Sequence, residues 1–294
     1  MKDINIFLKE KPLKMFCLGF SSGLPILLVF STLSVWLVKA GVERSTVTLF
    51  SWAGFAYAFK YLWSPLVDNY KLPFLNKFGH RKSWLFLSQL LIIASLILTA
   101  FTNPQNNLFF TALFISLLAF FSATQDILVD AFRIESAPQS QQGPLSSMYI
   151  AGYRVAMLTA GAGSLWLAAF FGTETYNQEV WKKVYLIMSI LMLIGVFTTI
   201  YSKEPNIKKD LKKDSHIKFL LTIIFSVIGF ISLYSIIINP YEKSDIILSF
   251  LFSSGRLIGC FIFSFFIIYL LILIKFISKE KVSKSYLSPI ANFL

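Results

Sequence analysis

The sequence predicts an all-α protein, a polytopic bundle of helices that cross a membrane. The first observation behind this fold class is composition: hydrophobic residues make up 56% of the 294 residues and charged residues only 14%. The mean hydropathy is +0.67, whereas a soluble domain carries roughly 25% charged residues. The second observation is that the apolar residues occur in runs of about 20, the length that crosses the hydrocarbon core of a bilayer.

Eight apolar runs are long enough to be predicted as membrane spans. They cover about residues 15–38, 46–66, 84–102, 107–131, 144–171, 181–201, 217–239 and 247–277. Pro25 is expected to bend the first span, and Pro65 to end or kink the second. The first run is too long for the apolar part of a cleavable signal peptide, so we predict that it stays as a spanning helix.

A hydrophilic break divides these spans into six and two. The predicted organisation is an interfacial cytoplasmic segment at 1–14, a six-helix bundle at 15–201, a basic cytoplasmic linker at 202–216, two extra transmembrane helices at 217–277 and a cytoplasmic tail at 278–294. The N-terminal segment alternates apolar with basic residues, which is typical of a segment that lies along a membrane interface.

The basic residues predict the orientation in the bilayer. A net charge of +12 could indicate nucleic-acid binding, but the lysines and arginines lie in short segments between the apolar runs. We therefore exclude nucleic acid as a partner and interpret the charge as a topology signal. One side of the predicted membrane carries 19 basic residues and the other five. This bias predicts a multi-pass protein with both termini in the cytoplasm.

The sequence contains no pattern that predicts catalysis, a metal site or a cofactor. Cys17 and Cys260 lie far apart within apolar runs and are predicted to be packing residues. His80 and His216 lie in predicted loops and lack zinc-site spacing. No phosphate-binding glycine loop and no nucleophile–base pair can be placed, so we predict that the protein is not an enzyme.

The fourth span contains the densest group of ionisable residues within an apolar run. Asp126 and Asp130 share one helix face, which Arg133 continues, while Glu135 points elsewhere. Two ionised carboxylates one turn apart repel each other, so at least one is expected to be protonated or to have a cationic partner. Intramembrane charges are costly and mark functional sites. We predict a proton or substrate relay; the alternative is a structural ion-pair network near the cytoplasmic end of the helix.

Cationic residues in two other spans are candidate partners for these carboxylates or for an anionic substrate. Arg154 follows Tyr153 in span five, and its planar guanidinium suits carboxylates. The alternative for Arg154 is a purely interhelical ion pair. Lys60 lies in span two with Tyr57 and Trp63, and it either faces a cavity or extends toward the cytoplasmic interface.

Span five also carries a stripe of small residues. Gly152, Ala156 and Ala160 recur every four residues and therefore lie on one face of the helix. Small side chains let two backbones approach closely within a membrane. We predict tight helix packing along this stripe rather than chemistry.

The loop after span two combines an acid with basic residues. Asp68 stands just past Pro65, and Arg81 and Lys82 follow in the loop. An acid at a helix end beside a basic loop can form an ion pair that holds one conformation and breaks in another. These residues are candidates for a conformational lock.

Several stretches together resemble the AmpG-type muropeptide permeases of the major facilitator superfamily. They are GFSSGLP at 19–25, KYLWSPLVD at 60–68, GHRKSW at 79–84, ATQDILVDAFRIE at 123–135 and GYR at 152–154. Together they extend over roughly residues 15–170, and the stretch in span four is the most specific of them.

The resemblance implies a fold and an activity. The fold is a major-facilitator-type six-helix half with two extra transmembrane helices. The activity is import of N-acetylglucosaminyl-anhydro-N-acetylmuramyl peptides from the periplasm across the bacterial inner membrane, driven by the proton-motive force. Proton coupling would fall to Asp126 and Asp130. Substrate binding would fall to Lys60, Gln125, Tyr153, Arg154, Tyr57 and Trp63. The conformational loop would comprise Asp68, Arg81, Lys82, Arg133 and Glu135.

The chain departs from the family in one respect. Family members have a second six-helix half, and residues 286–294 look like the lead-in to it. We therefore expect a truncated chain that needs a separately encoded C-terminal half or a second copy of itself, since alternating access rocks one half against the other. The alternatives are another major facilitator transporter, of the acetyl-coenzyme A or drug-efflux type, and an inactive remnant.

Overall fold

The structure, a computed structural model, describes residues 7, 9–72, 78–172, 176–205, 214–240 and 246–276. In these ranges the chain is helical and has no β-strand, which confirms the predicted fold class. Helices long and apolar enough to cross a membrane are, within the same ranges, Glu10–Lys39, His80–Ala100, Leu108–Ser136, Gln139–Phe171, Gln178–Tyr201 and Leu248–Leu273. The chain forms two compact units, Met1–Lys60 with Lys71–Lys208, and Tyr61–Tyr70 with Lys209–Leu294.

The helices follow one another with few long connections. In chain order they are α1 (Glu10–Val29), α2 (Ser31–Lys39), α3 (Arg44–Leu49), α4 (Gly54–Ala58), α5 (Ser64–Asn69), α6 (His80–Ala100), α7 (Leu108–Ser136), α8 (Gln142–Leu158), α9 (Ser164–Phe171), α10 (Gln178–Leu191), α11 (Leu193–Tyr201), α12 (Asp214–Ile236) and α13 (Ile246–Leu273). Short 3-10 turns cover Phe50–Ala53, Lys60–Leu62 and Gln139–Gln141, and a π-helical turn covers Thr159–Gly163. The first span begins at Glu10, earlier than predicted, which shortens the predicted interfacial segment.

Helix α1 is the central element of the first unit. It packs against α7, α8 and α11, while α6 packs against α7, α10 and α11. Leu18, Leu24 and Leu28 on α1 are fully buried, as expected for a helix that is apolar on nearly all sides. The helix continues through Pro25, and the interruption that separates it from α2 lies one turn later, at Phe30.

Glycines bring α1 and α8 into backbone contact. A Cβ on Gly19 would overlap the Tyr149 carbonyl oxygen, and a Cβ on Gly23 would overlap that of Tyr153. From the other side, a Cβ on Gly152 would overlap the Phe16 carbonyl oxygen. The predicted close packing along the small-residue stripe is thus confirmed, and Gly19 and Gly23 supply the matching surface on α1.

An aromatic cluster fills one end of the first unit. The rings of Trp36 and Trp181 stack with centroids 5.9 Å apart, and Tyr185 lies 5.1 Å from Trp36. The buried Tyr185 hydroxyl donates to the Leu28 carbonyl at 2.9 Å, beside the interruption between α1 and α2. Trp36 Nε1 also donates to Tyr176 Oη at 3.4 Å. The large apolar area of these rings stabilises the bundle, and the polar atoms of Trp36 and Tyr185 have partners.

The prediction of one continuous span at 46–66 is wrong in this structure. The segment is divided into α3, a 3-10 turn, α4, a second 3-10 turn and α5. Hydroxyl groups hydrogen-bond to nearby carbonyls, Ser51 to Thr48 at 2.6 Å and Ser64 to Tyr61 at 3.2 Å. Such local bonds compete with the regular helix ladder. Pro65 lies in the first turn of α5 and therefore starts a helix rather than ending one.

The second unit is a helical hairpin of α12 and α13, with α5 packed against α12. Ser226 and Ser264 each donate to the other's carbonyl oxygen at 3.1 Å. The Phe230 ring contacts Phe261 across the same interface, with centroids 5.0 Å apart. Cys260 is buried in this unit and Cys17 is half-buried in the first, so both are packing residues. The predicted tail at 278–294 and residues 206–213 of the predicted linker lie outside the described residues.

We predict that Gly152→Ala destabilises the first unit because the added Cβ overlaps the backbone of α1. Overpacking of this kind costs typically about 1–3 kcal/mol, so the melting temperature in detergent should fall by several degrees. Gly143→Ala on the same helix is the matched control, since its Cβ meets no atom within 4 Å. Equal melting temperatures for the two variants would contradict the proposed backbone contact.

Candidate functional site

An ion pair between a buried carboxylate and a partly exposed lysine lies in the first unit. Lys60 Nζ lies 3.5 Å from Asp126 Oδ2, and the Asp126 side chain is only 8% exposed. Lys60 reaches this carboxylate from the 3-10 turn that precedes α5. Of the two alternatives for Lys60, the structure therefore supports the inward position.

Arg154 is not the partner that the sequence suggested for the carboxylates. Its side chain is exposed, and its Nη1 lies 3.9 Å from the sulfur of Met157 one turn later. In the part of the chain that the structure describes, Asp126 pairs with Lys60 and Asp130 with Arg133. The expected pairing of Arg154 with Asp126 is not seen because Lys60, which lies 66 residues earlier in the chain, contacts this carboxylate instead.

The Asp126 carboxylate is only partly satisfied. Its Oδ1 is buried and has no hydrogen-bond partner within the protein. The hydroxyls of Tyr57 and Ser122 are buried as well and lie close enough to interact with each other. A buried acceptor without a donor is costly, whereas a protonated carboxyl can donate to a neighbouring oxygen. This arrangement suits a group that gains and loses a proton.

Asp130 lies in different surroundings one turn further along α7. Its side chain is 45% exposed, and its Oδ1 lies 3.5 Å from Arg133 Nη2. Arg133 in turn donates to Ser146 Oγ on α8 at 2.6 Å. The pair of carboxylates predicted to share a role is thus divided into a buried member and a half-exposed one.

Tyrosines line the neighbourhood of Asp126. Tyr57 and Tyr153, both predicted from the sequence, lie within electrostatic range of this carboxylate. Tyr149 joins them, with its ring centroid 6.0 Å from that of Tyr153. Sequence reasoning missed Tyr149, although its position one turn before Tyr153 is a signal that could have identified it.

Gln125 is buried rather than open. Its Nε2 donates to Ser21 Oγ at 2.6 Å and lies 3.4 Å from Ser22 Oγ, both on α1. The side chain is fully buried. In this structure it ties α7 to α1, and its predicted contact with substrate stays a prediction.

Three of the five candidate conformational residues, Arg81, Lys82 and Glu135, belong to a network at one end of α6. Arg81 donates to both carboxylate oxygens of Glu135, from Nε at 2.9 Å and from Nη2 at 2.6 Å. Glu204 accepts from the backbone N–H groups of Arg81 at 2.8 Å and Lys82 at 3.0 Å. A carboxylate at these amides satisfies unpaired donors of the first helical turn and the positive end of the helix dipole.

Glu204 was not predicted from the sequence. It is one of three acids in the break at 202–216, and nothing in the sequence singles it out from the other two. Gly79 makes room for it, since this glycine has φ +97° and a Cβ there would overlap the Glu204 carboxylate. Asp68 and Trp63, also predicted from the sequence, lie in or beside α5 and so belong to the second unit.

No group of three or more His, Cys, Asp or Glu residues is placed to hold a metal ion among the residues that the structure describes. The charged groups of the interior are instead arranged as pairs of a carboxylate with a lysine or an arginine. Such pairs can change partner when a proton or an anion arrives. The site is therefore suited to binding and conformational change.

Comparison with known proteins agrees with this kind of site. Residues 6–291 match the family model described as Major Facilitator Superfamily. The chain thus belongs to the Major Facilitator Superfamily and is a multi-pass membrane protein of a transporter family.

Individual relatives indicate which members of the superfamily the chain is similar to. The chain is 36% identical over 242 residues to the "Putative transporter AmpG 4" of Rickettsia conorii, covering 82% of this chain and 54% of that protein. It is 38% identical over 225 residues to the protein of the same name in Rickettsia felis, covering 76% and 52%. It is 34% identical over 203 residues to the anhydromuropeptide permease of Escherichia coli K12, covering 69% and 39%. The chain thus spans about half, or less, of the length of these relatives.

We predict that Lys60 and Asp126 are energetically coupled. Lys60→Met leaves a buried carboxylate without its cation, and Asp126→Asn leaves the ammonium of Lys60, whose side chain is 33% exposed, without its anion. The double variant removes both charges, so it should lose less stability than the two single losses together, with a coupling of about 0.5–3 kcal/mol. Melting temperatures of the four proteins in detergent measure this. Strict additivity would show that the two groups do not interact.

We also predict that Glu204→Ala loosens the start of α6, because two amides lose their acceptor. Loss of a helix cap costs typically about 1 kcal/mol, and deuterium exchange at the amides of Arg81 and Lys82 should accelerate. Glu204→Gln keeps an acceptor oxygen and should exchange more slowly than Glu204→Ala. Glu179→Ala, which removes an exposed acid from the first turn of α10, is the control. Unchanged exchange in Glu204→Ala would contradict the cap.

Proposed function

We propose that the chain takes part in proton-motive-force-dependent import of muropeptides from the periplasm to the cytoplasm across the bacterial inner membrane. The observation that carries the proposal is the buried pair of Lys60 and Asp126 in a transporter-family bundle. A charge pair inside a membrane bundle is costly to insert and is typically functional. The 34% identity to the anhydromuropeptide permease of Escherichia coli supports the substrate class.

The proton carrier in this proposal is Asp126 rather than Asp130. Asp126 is the buried member of the two carboxylates, and its Oδ1 has no donor within the protein. Protonation of Asp126 removes its charge and so releases the ammonium of Lys60. Asp130 is half-exposed and keeps Arg133 as its neighbour, so a change of its charge has a smaller effect on the interior.

Coupling follows from competition for Lys60. A muropeptide carries carboxylates, and a carboxylate of the substrate can pair with Lys60 only when Asp126 has given it up. Proton binding at Asp126 and anion binding at Lys60 therefore favour each other, because each removes a negative charge that would oppose the other. Loss of the proton restores the original pair and expels the substrate.

Aromatic and cationic groups supply the remaining substrate contacts. Tyr57 and Tyr153 near Asp126 offer ring faces for sugars, and the substrate contact expected of Trp63 stays a prediction. Arg154 is exposed on α8 and makes no ion pair in the described ranges, so its guanidinium is available to a peptide carboxylate.

The remaining parts of the proposal concern assembly and motion. We place both termini in the cytoplasm on the basis of the basic residues. The region matched is about half of each relative, and we propose that it works with a second helical half, carried by another chain or by a second copy. The bonds of Arg81 with Glu135 and of Glu204 with the start of α6 hold one conformation of the bundle, and they break when it changes.

Uptake by right-side-out membrane vesicles tests the proposal. The chain is produced in cells that lack an endogenous permease, and vesicles are prepared from these cells. Uptake of radiolabelled anhydromuramyl tripeptide disaccharide is then measured with and without a protonophore. We expect uptake that the protonophore abolishes. Asp126→Asn should lower uptake by at least about tenfold, whereas Asp130→Asn should keep most of it. Uptake that persists with the protonophore, or that survives in Asp126→Asn, would overturn the proton role.

A binding measurement tests the contact of Lys60 with the substrate separately from the proton role of Asp126. The Lys60→Met variant should bind the same disaccharide peptide more weakly in detergent, while binding of an uncharged sugar analogue should change little. If both ligands bind equally well to Lys60→Met and to the unchanged chain, Lys60 does not hold the substrate carboxylate. Well-inserted chain that binds muropeptide without uptake would point to the need for the second half.

A further inference from the structure

A line of buried polar side chains leads from Asp126 across α1 to the opposite side of the first unit. Its members, each at most 1% exposed, are Ser22, Ser21, Gln125, Gln89 and Thr199. They come from four helices, α1, α7, α6 and α11. In a membrane bundle, this concentration of buried amide and hydroxyl groups is costly unless the groups are paired or hydrated.

The members are connected as two hydrogen-bonded pairs that meet at a glycine. Gln125 Nε2 donates to Ser21 Oγ at 2.6 Å. Thr199 Oγ1 donates to Gln89 Oε1 at 2.9 Å. Between the pairs lies Gly195, where an added Cβ would be 2.5 Å from Ser21 Oγ and 3.1 Å from Gln89 Nε2. Both side chains thus pack directly against Gly195, and only a glycine lets α11 approach them this closely.

Several atoms along the line have no partner within the protein. Gln89 Nε2 is a buried donor of this kind, and Gln125 Oε1 and Asp126 Oδ1 are buried acceptors. An unpaired buried polar atom costs about 1–3 kcal/mol. A water molecule both donates and accepts, and buried water typically satisfies such groups. Two of these atoms are acceptors near the Asp126 end of the line and the third is a donor beside Gly195, so together they offer water both kinds of hydrogen bond.

We propose that this polar line binds internal water and carries the proton between Asp126 and the end of the unit where α11 ends. The proposal rests on the role of Asp126 as proton carrier and specifies its route. Each step breaks one O–H bond and forms another, as Asp126 gives its proton to a water and that water passes one on. Thr199 lies two residues before the end of α11, and the carbonyl of Tyr201 there accepts from Lys14 Nζ at 2.9 Å.

The route begins beside the groups that surround Asp126. The titratable and charged groups that face Asp126 from the neighbouring elements are Lys60, Asp130, Tyr57, Tyr149 and Tyr153. Ser22, the first member of the polar line, interacts with both Asp126 and Tyr149. From there the line continues through α1 by way of the Ser21 hydroxyl.

Infrared spectroscopy of the full chain in detergent tests the route without requiring transport. The C=O stretch of a protonated carboxyl shifts on transfer to D2O, and its loss in Asp126→Asn assigns the band to Asp126. The rate at which the band shifts after rapid dilution into D2O measures how fast this proton exchanges with the bulk. We expect fast exchange in the unchanged chain.

Two substitutions remove polar atoms from the line at nearly constant size, Gln89→Met and Thr199→Val. Each should slow the exchange at Asp126 by at least about tenfold, because the file of water loses a binding group. Gly195→Ala, whose added Cβ would displace the Ser21 side chain, should also slow it. Thr99→Val is the matched control, since this buried threonine of α6 donates only to Ser95 in its own helix; its exchange should stay unchanged.

The outcomes distinguish the route from the proton carrier itself. Fast exchange in both Gln89→Met and Thr199→Val, with melting temperatures near that of the unchanged chain, overturns the route and leaves the role of Asp126 standing. Equal slowing in Thr99→Val also overturns it, because the effect would then be one of general packing. Absence of an Asp126 carboxyl band at every pH tested overturns both the route and the proton role.

Discussion

The backbone contact between α1 and α8 is the constraint on which the rest of the first unit depends. Three glycines, Gly19, Gly23 and Gly152, let the two helices touch without intervening side chains. In a bilayer, where lipid is as apolar as leucine, close van der Waals contact is a main source of helix association. Because carbonyls of Tyr149 and Tyr153 rest on α1, the positions of these tyrosines are set by the glycines.

The same contact explains how a polar interior is tolerated. With α1 and α8 locked together, the small hydroxyl residues beside the glycines on α1 meet α7, where Gln125 bonds to Ser21. The charged pair of Lys60 and Asp126 thus lies within a framework whose geometry is maintained by packing. Stability and function are divided between different parts of the same helices: small and apolar residues hold the bundle, and the polar residues remain incompletely paired.

Much of the fold could be predicted from the sequence because length, hydropathy and small-residue spacing are local signals. The runs that became α6, α7 and α13 are continuous and apolar, and the Gly152 stripe identified a packing face. The segment at 46–66 was harder, because its hydroxyls bond locally and compete with the helix ladder. The site was only partly predictable. Asp126 stands out in any apolar run, but the choice of Lys60 over Arg154 is a tertiary contact that no local pattern encodes.

The π-helical turn at Thr159–Gly163 has a consequence for how this span is compared with others. A π turn holds one residue more than an α turn. Side chains after it therefore point in directions rotated from those that an uninterrupted α-helix would give. A homologous helix without this turn could match the ends of the span only with a one-residue gap. Residue equivalences drawn across Gly163 without that gap would assign lipid-facing positions to the interior, and interior ones to lipid.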